Sequence, residues 1–150
     1  MPQSLARVPI HLIYSTKLRE PLITEPVRDS LHRYQASILT NLGCEPIIIN
    51  SVEDHIHALF ELSRTVTIAD VVEEIKKSSS KWLKTMGPEL SPFAWQAGYG
   101  AFGVSVSNMD QVRRSIESQR EHHRELSFQD EFREFLRRHN IPFDERYVWD

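Results

Sequence analysis

The sequence predicts an α+β domain of the ferredoxin-like, split β-α-β type: one antiparallel sheet with helices on one face, and additional C-terminal helices. Three observations carry this. Short runs of alternating or continuous apolar residues occur at 8–16, 46–50, 55–62 and 101–106. Two long segments of helical periodicity separate them in the order β-α-β-β-α-β. Two further amphipathic segments follow the last strand, closed by a tail that carries Tyr147 and Trp149.

Each element has its own signal. In the first strand Ile10, Leu12 and Tyr14 alternate with His11, Ile13 and Ser15, and Pro9 suits a strand's first residues rather than its middle. Thr24 is placed to cap the first helix, with Pro26 in the first turn and Gly43 just past the end. Val27, Leu31, Tyr34, Ile38 and Leu42 give that helix one buried stripe. Ile47, Ile48 and Ile49 form the second strand. In the third, Ile56, Ala58, Phe60 and Leu62 take the core face, which leaves His55, His57, Leu59 and Glu61 on the sheet's other, open face. Thr67 and Asp70 have capping-box spacing before a second helix whose inner face is Ile68, Val71, Val72, Ile75, Ser79 and Trp82. Gly87-Pro88, Pro92 and Gly98 mark a loop. Ser107 or Asn108 caps a third helix running to about His123, and Ser127 with Asp130 opens a fourth that ends near Asn140.

Composition narrows the function classes. A chain of 150 residues with 40% hydrophobic and 26% charged residues fits a single domain spanning 1–150. There is no apolar run of the roughly 18 residues that would suggest a membrane span, and the first residues lack an apolar signal region. Cys44 is alone, which excludes a disulfide framework and a cysteine zinc site and makes the cytoplasm the expected location. A net charge of −3 means that any nucleic-acid binding must come from local basic patches.

The chemistry concentrates in His55-Ile56-His57. An isolated His-x-His is ordinarily two outward side chains of a half-exposed strand. Here Ile56 faces the core, so both imidazoles leave the same face, close enough to share a divalent cation that polarises a phosphate. The third helix can add Gln119 as a ligand. Ser115 lies four residues before it on the same helix face, and His122 follows within a turn. Lys76, Lys77, Lys81 and Lys84 crowd the second helix. Such a run is usually a solvated face, but with Ser78, Ser79, Ser80 and Trp82 it can also hold a nucleic-acid backbone. Trp95, Tyr99 and Phe102 bracket a glycine-containing loop suited to core packing or to base stacking.

Several of these motifs, in this order, resemble the small single-strand DNA transposases of the insertion-sequence 200/605 (IS200-like) type, in the HUH (His-hydrophobe-His) superfamily. The resemblance runs from His11 to Trp149. It rests on His11-Leu12-Ile13-Tyr14-Ser15-Thr16-Lys17, Asp54-His55-Ile56-His57, Lys76-Lys77-Ser78-Ser79-Ser80-Lys81-Trp82, the segment from Phe93 to Phe102, Ser115-Ile116-Glu117-Ser118-Gln119, and the ending Asp144-Glu145-Arg146-Tyr147-Val148-Trp149. It implies a Mg²⁺ or Mn²⁺ ion held by His55, His57 and Gln119, and no nucleotide cofactor. It implies strand cleavage and rejoining through a 5′-phosphotyrosine, and recognition of hairpins in single-stranded DNA with Lys76, Lys77, Lys81, Lys84 and His122 as DNA contacts. It also implies a homodimer with composite active sites, acting on the nucleoid of a prokaryotic cytoplasm without a membrane. The chain departs from the family where the nucleophilic tyrosine belongs: that position is Ser115, and a serine hydroxyl is shorter than a phenol and a poor nucleophile without an adjacent base. Three explanations stand open: a decayed or domesticated copy that still binds hairpins or palindromes, a substitution that traps an inactive form, or another tyrosine acting instead, Tyr99 or Tyr147.

Overall fold

Four antiparallel strands form the sheet in the order β2-β3-β1-β4: β1 (Pro9–Ser15), β2 (Glu45–Ser51), β3 (His55–Glu61) and β4 (Gly100–Gly103). This is the ferredoxin-like arrangement. The computed structural model describes residues 2–120 and 126–150. Helices α1 (Glu25–Asn41) and α2 (Ile68–Leu83) connect the strands. After β4 come α3 (Met109–Glu117) and α4 (Phe128–Arg138).

One face of the sheet is closed by α1 and α2. Ile10, Leu12, Tyr14, Ile56, Ala58 and Phe60 meet Leu31, Leu39, Val71 and Ile75 in a continuous apolar core. Each fully buried aliphatic or aromatic side chain stabilises the fold by about 1.5–3 kcal/mol. Two side-chain hydrogen bonds cross this layer: Gln35 Nε2 donates to the Tyr14 hydroxyl at 2.7 Å, and Trp95 Nε1 donates to Ser79 Oγ at 3.0 Å. Helix α2 starts with the full capping box. Thr67 Oγ1 accepts from the Asp70 amide at 3.0 Å, and the Asp70 carboxylate accepts from the Thr67 amide at 3.3 Å.

The other face is not open, as alternation alone suggests. Phe128, Phe132 and Leu136 of α4 are buried with Ile13 and Phe102, and Phe135, Phe143, Val148 and Trp149 pack around them. The reason lies in α4 itself: its phenylalanines fall three and four residues apart, and such a stripe must bury itself against an apolar or aromatic surface. Ser127 caps the helix by accepting from the Asp130 amide at 3.2 Å. Gly100 on β4 provides the seat, since a Cβ there would collide with the ring of Phe132.

Two boundaries differ from expectation by three or more residues. β4 ends at Gly103 rather than Val106. The Val104 amide still donates to the Pro9 carbonyl at 3.0 Å, but Pro9 has no N–H to return, so the ladder stops there. Helix α3 spans Met109–Glu117 and is interrupted at Ser118, where φ is −93° and ψ 20°, before Gln119 and Arg120 turn helical again; the rest of its expected extension to His123, and His122 with it, lie outside the described residues.

Candidate metal centre

His55 and His57 lead the site. β3 pairs antiparallel to β1, with His57 opposite Ile13 and His55 opposite Ser15. Both side chains point to the α4 face, and both are almost fully buried, at 1% and 4% exposure. Their ring orientations are fixed from behind. His55 Nδ1 donates to Asp54 Oδ1 at 2.6 Å, and His57 Nδ1 lies 2.8 Å from His11 Nε2. These partners leave Nε2 of each ring turned to one carboxylate oxygen, Glu131 Oε1 on α4, at 3.4 Å from His55 and 2.7 Å from His57. Such outer partners fix the tautomer and aim of metal-binding imidazoles.

The electrostatics agree with the geometry. Burial alone would disfavour a charged His55, but Asp54 and Glu131 outweigh it and hold its pKa above the ordinary value. Burial likewise works against an ionised Glu131, yet hydrogen bonds and charge from His55 and His57 hold its carboxyl well below the usual carboxylate range. His11 is pushed well below its ordinary value by burial and then by His57. A neutral His11 can donate to or accept from His57 Nδ1, so it supports either tautomer of that ring.

The residues fit a divalent ion. One donor atom from each of His55, His57 and Glu131 lies within 4.8 Å of the others, slightly wider than the roughly 4.4 Å that two donors can span across an ion with bonds of about 2.0–2.2 Å, so small side-chain shifts would seat one. Two imidazole nitrogens and a carboxylate oxygen suit Mn²⁺ and other transition ions better than Mg²⁺, which favours oxygen donors. Gln119 follows the end of α3, a helix that packs on β2 and β3 and is tied to the sheet by Asn50 Nδ2 donating to the Ile116 carbonyl at 2.8 Å. Its side chain is buried, and neither carboxamide atom has a hydrogen-bond partner among the described residues. A buried amide in that state costs roughly 1–3 kcal/mol, so it marks a position that wants a partner.

The remaining expected residues are spread more widely. Ser115 is exposed on α3, whereas Gln119, beyond the turn at Ser118, is buried, so the pair does not present the continuous helix face that its four-residue spacing predicts. Lys77 and Lys81 on α2 and Lys84 just past its end are exposed, in the layer opposite to the histidines. Lys76 is committed elsewhere. Its Nζ donates to the carbonyls of Gln96, at 2.8 Å, and Gly98, at 2.6 Å, and burial lowers its pKa to about 8. Sequence reasoning missed two members of the centre as site residues. His11 shares the alternating face of Ile13, beside the histidine pair in the neighbouring strand. Glu131 was legible as a carboxylate set within the stripe Phe128, Phe132 and Phe135, where a solvated acid does not belong.

Comparison with known proteins settles the family. The model of the family "Transposase IS200 like" matches residues 4–119. The chain belongs to this family. It is 28% identical over 114 residues to the ISDra2 transposase TnpA of Deinococcus radiodurans, covering 73% of this chain and 81% of that one. In structure it is similar to a transposase from Deinococcus radiodurans R1, with a TM-score of 0.62 and 24% identity over 79% of this chain and 98% of that one. It is also similar to a REP-associated tyrosine transposase bound to a REP hairpin, with a TM-score of 0.60 and 12% identity over 82% of this chain and 73% of that one. At these identities the two structures speak to the shared fold. Among the described residues, no helix of this IS200-like chain is long and apolar enough to cross a membrane. The family-matched segment contains His55, His57, Ser115 and Gln119; α4 and Glu131 lie beyond it.

Proposed function

We propose that this protein binds hairpin-forming ends of single-stranded DNA and positions a strand phosphate at the His55–His57 centre, and that with Ser115 in place of the family tyrosine it forms no covalent DNA link. The observation that carries the reading is the histidine pair, with each outer nitrogen held by Asp54 or His11 and each inner nitrogen aimed at one point. Such rings are prepared to hold an ion rather than to sit in solvent. His55 and His57 would hold it, with Gln119 or Glu131 beside them. A bound Mn²⁺ or Mg²⁺ would supply Lewis acidity and a template for the phosphate.

The chain's own groups do the rest. Asp54 and His11 hold the ring orientations. Lys77, Lys81 and Lys84 offer exposed cations to the DNA backbone. Ser115 presents a hydroxyl from an exposed helix face, short of the reach of a phenol and intrinsically a weak nucleophile. A homodimer acting at mobile-element ends is part of the proposal, and a mass of twice 17.5 kDa in light scattering would support it.

The test uses hairpins drawn from the DNA that flanks the gene, with Mn²⁺. The unaltered protein should bind hairpins more tightly than random single strands or duplex, and should give no covalent adduct on a denaturing gel. Ser115→Tyr should give an adduct. Equal affinity for every DNA form would remove the hairpin reading. An adduct from the unaltered protein would reassign the nucleophile to Tyr99 or Tyr147, both of which are exposed. Tight hairpin binding without an adduct in Ser115→Tyr would show that more than the nucleophile is missing.

A further inference from the structure

The family-matched segment supplies two histidines and a glutamine, yet a group that meets both imidazoles comes from outside it. We infer that Glu131 is the third protein ligand of the ion, and that the ion therefore fastens helix α4 over the histidine face of the sheet. The inference rests on the metal-centre reading and gives it a ligand and a structural consequence.

Three features support it. Glu131 Oε1 lies close to Nε2 of both rings, at 3.4 and 2.7 Å. The carboxylate is not placed there by a flexible arm. Its helix is capped by Ser127, and Phe128 and Phe132, three residues before it and one after, are buried against the sheet. Phe128 also touches His55, with ring centroids 4.8 Å apart, so the helix that brings the carboxylate also packs on a ligand ring. Finally, two neutral imidazoles and one carboxylate leave part of the ion's charge uncancelled and coordination positions open, which suits an ion that must also meet a phosphate. A neutral carboxamide at that position would neutralise less charge.

The coupling runs in both directions. If the ion binds only when α4 is docked, loading the ion must stabilise the docked helix, and removing the carboxylate must weaken the ion. The full chain is titrated with Mn²⁺, with bound ion measured by the loss of the free-ion electron paramagnetic resonance signal. Amide hydrogen exchange over 128–138 is followed in the same samples. Glu131→Ala should weaken Mn²⁺ binding by about tenfold or more, since removing even an outer partner of a ligand typically costs 10–100-fold. Mn²⁺ should slow exchange in 128–138 of the unaltered protein and leave it unchanged in the variant. Glu131→Met keeps the reach of the side chain without an oxygen donor and decides the matter if the alanine variant does not fold; it should also bind Mn²⁺ more weakly. His57→Ala separates the two levels of the argument. Normal Mn²⁺ binding by Glu131→Met, with binding lost in His57→Ala, would overturn the role of Glu131 and leave the histidine centre standing. The same pattern with binding lost in Gln119→Ala would give the third position to Gln119. No Mn²⁺ binding by the unaltered protein would overturn the centre itself, and this inference with it.

Discussion

The two faces of the sheet are built from the same strands but to different ends. On the α1–α2 face nearly every side chain is apolar, and the polar Gln35, Ser79 and Tyr14 are paired with each other or with Trp95. On the α4 face the strands contribute His11, His55 and His57 beside Ile13, and the covering helix adds phenylalanines with one carboxylate among them. The first face lies within the family-matched segment and can be judged by stability alone. The second joins matched strands to a helix outside the match, and its packing serves to aim donor atoms. Burial therefore means different things on the two faces: on one it excludes water from hydrocarbon, on the other it holds titratable groups in a fixed relation.

That contrast can be broken most forcefully by paired deletions. Phe60→Ala on the first face should cost about 3–5 kcal/mol of global stability, as large core truncations do, and should lower the unfolding midpoint in denaturant with a single transition. Phe132→Ala removes a ring of the same size. If the second face is a cover, its main effect should be local: faster amide exchange across 128–138 and weaker Mn²⁺ binding, with a smaller loss of global midpoint. Equal global losses for both would show that the two faces form one cooperative core.

Lysines sharpen the comparison at an intermediate scale. Lys76 Nζ ties the loop at Gln96 and Gly98 to α2, so Lys76→Met should cost about 1–3 kcal/mol by leaving those carbonyls without their donor. It should change the salt dependence of hairpin binding little. Lys81→Ala and Lys84→Ala should do the reverse, leaving the midpoint near its original value and reducing the salt slope by roughly 0.7–0.9 for each DNA phosphate no longer neutralised. A Lys76 variant with the larger drop in salt slope would make that lysine a DNA-binding group after all.

The smallest effect belongs to His32, on the α1–α2 face, where it lies 2.7 Å from Ser51 Oγ. Burial, with Arg28 and Arg120 nearby and Asp29 opposing, lowers its pKa from 6.5 to about 4. Above pH 6.5 the ring is neutral in both the folded and unfolded chain and contributes no pH dependence. Between 6.5 and about 4 the unfolded chain takes up the proton first, so stability falls as pH drops through that window. Melting temperatures on either side of the upper end of that window, at about pH 7.5 and about pH 5, should differ less for His32→Gln than for the unaltered protein. An unchanged difference would place the pH sensitivity on the histidine face instead.

How much of this was legible from the sequence follows from where each signal lives. The strands, the first core and the α2 capping box were readable because alternation, 3.6-residue periodicity and Thr67–Asp70 spacing are local properties. The common direction of His55 and His57 followed from Ile56 between them. The closure of their face did not, because it depends on α4 folding back across the sheet, and nothing in β3 records that contact. Glu131 is separated from His57 by 74 residues, and only its misfit within an apolar stripe announced it. The early end of β4 depends on a missing N–H in a different strand, at Pro9, and so was invisible to any reading of β4 alone.

Gly100 turns this architecture into something adjustable. The helix that carries Glu131 rests where β4 has no side chain, and a single methyl group at that spot would strike the Phe132 ring. The lever lies on the far edge of the sheet, in a strand that supplies none of the donor atoms His55, His57 and Glu131 bring to the centre. Alanine at position 100 would act as a wedge: it would prise up the carboxylate, and with it the Phe128 ring that packs on His55, while leaving in place the strand-borne bonds of His55 to Asp54 and of His57 to His11. A lineage could thus expose or cover its histidine pair by drifting at one codon that no inspection of ligands would flag, and an experimenter can use the same codon to separate the strand-borne half of the centre from the helix-borne half.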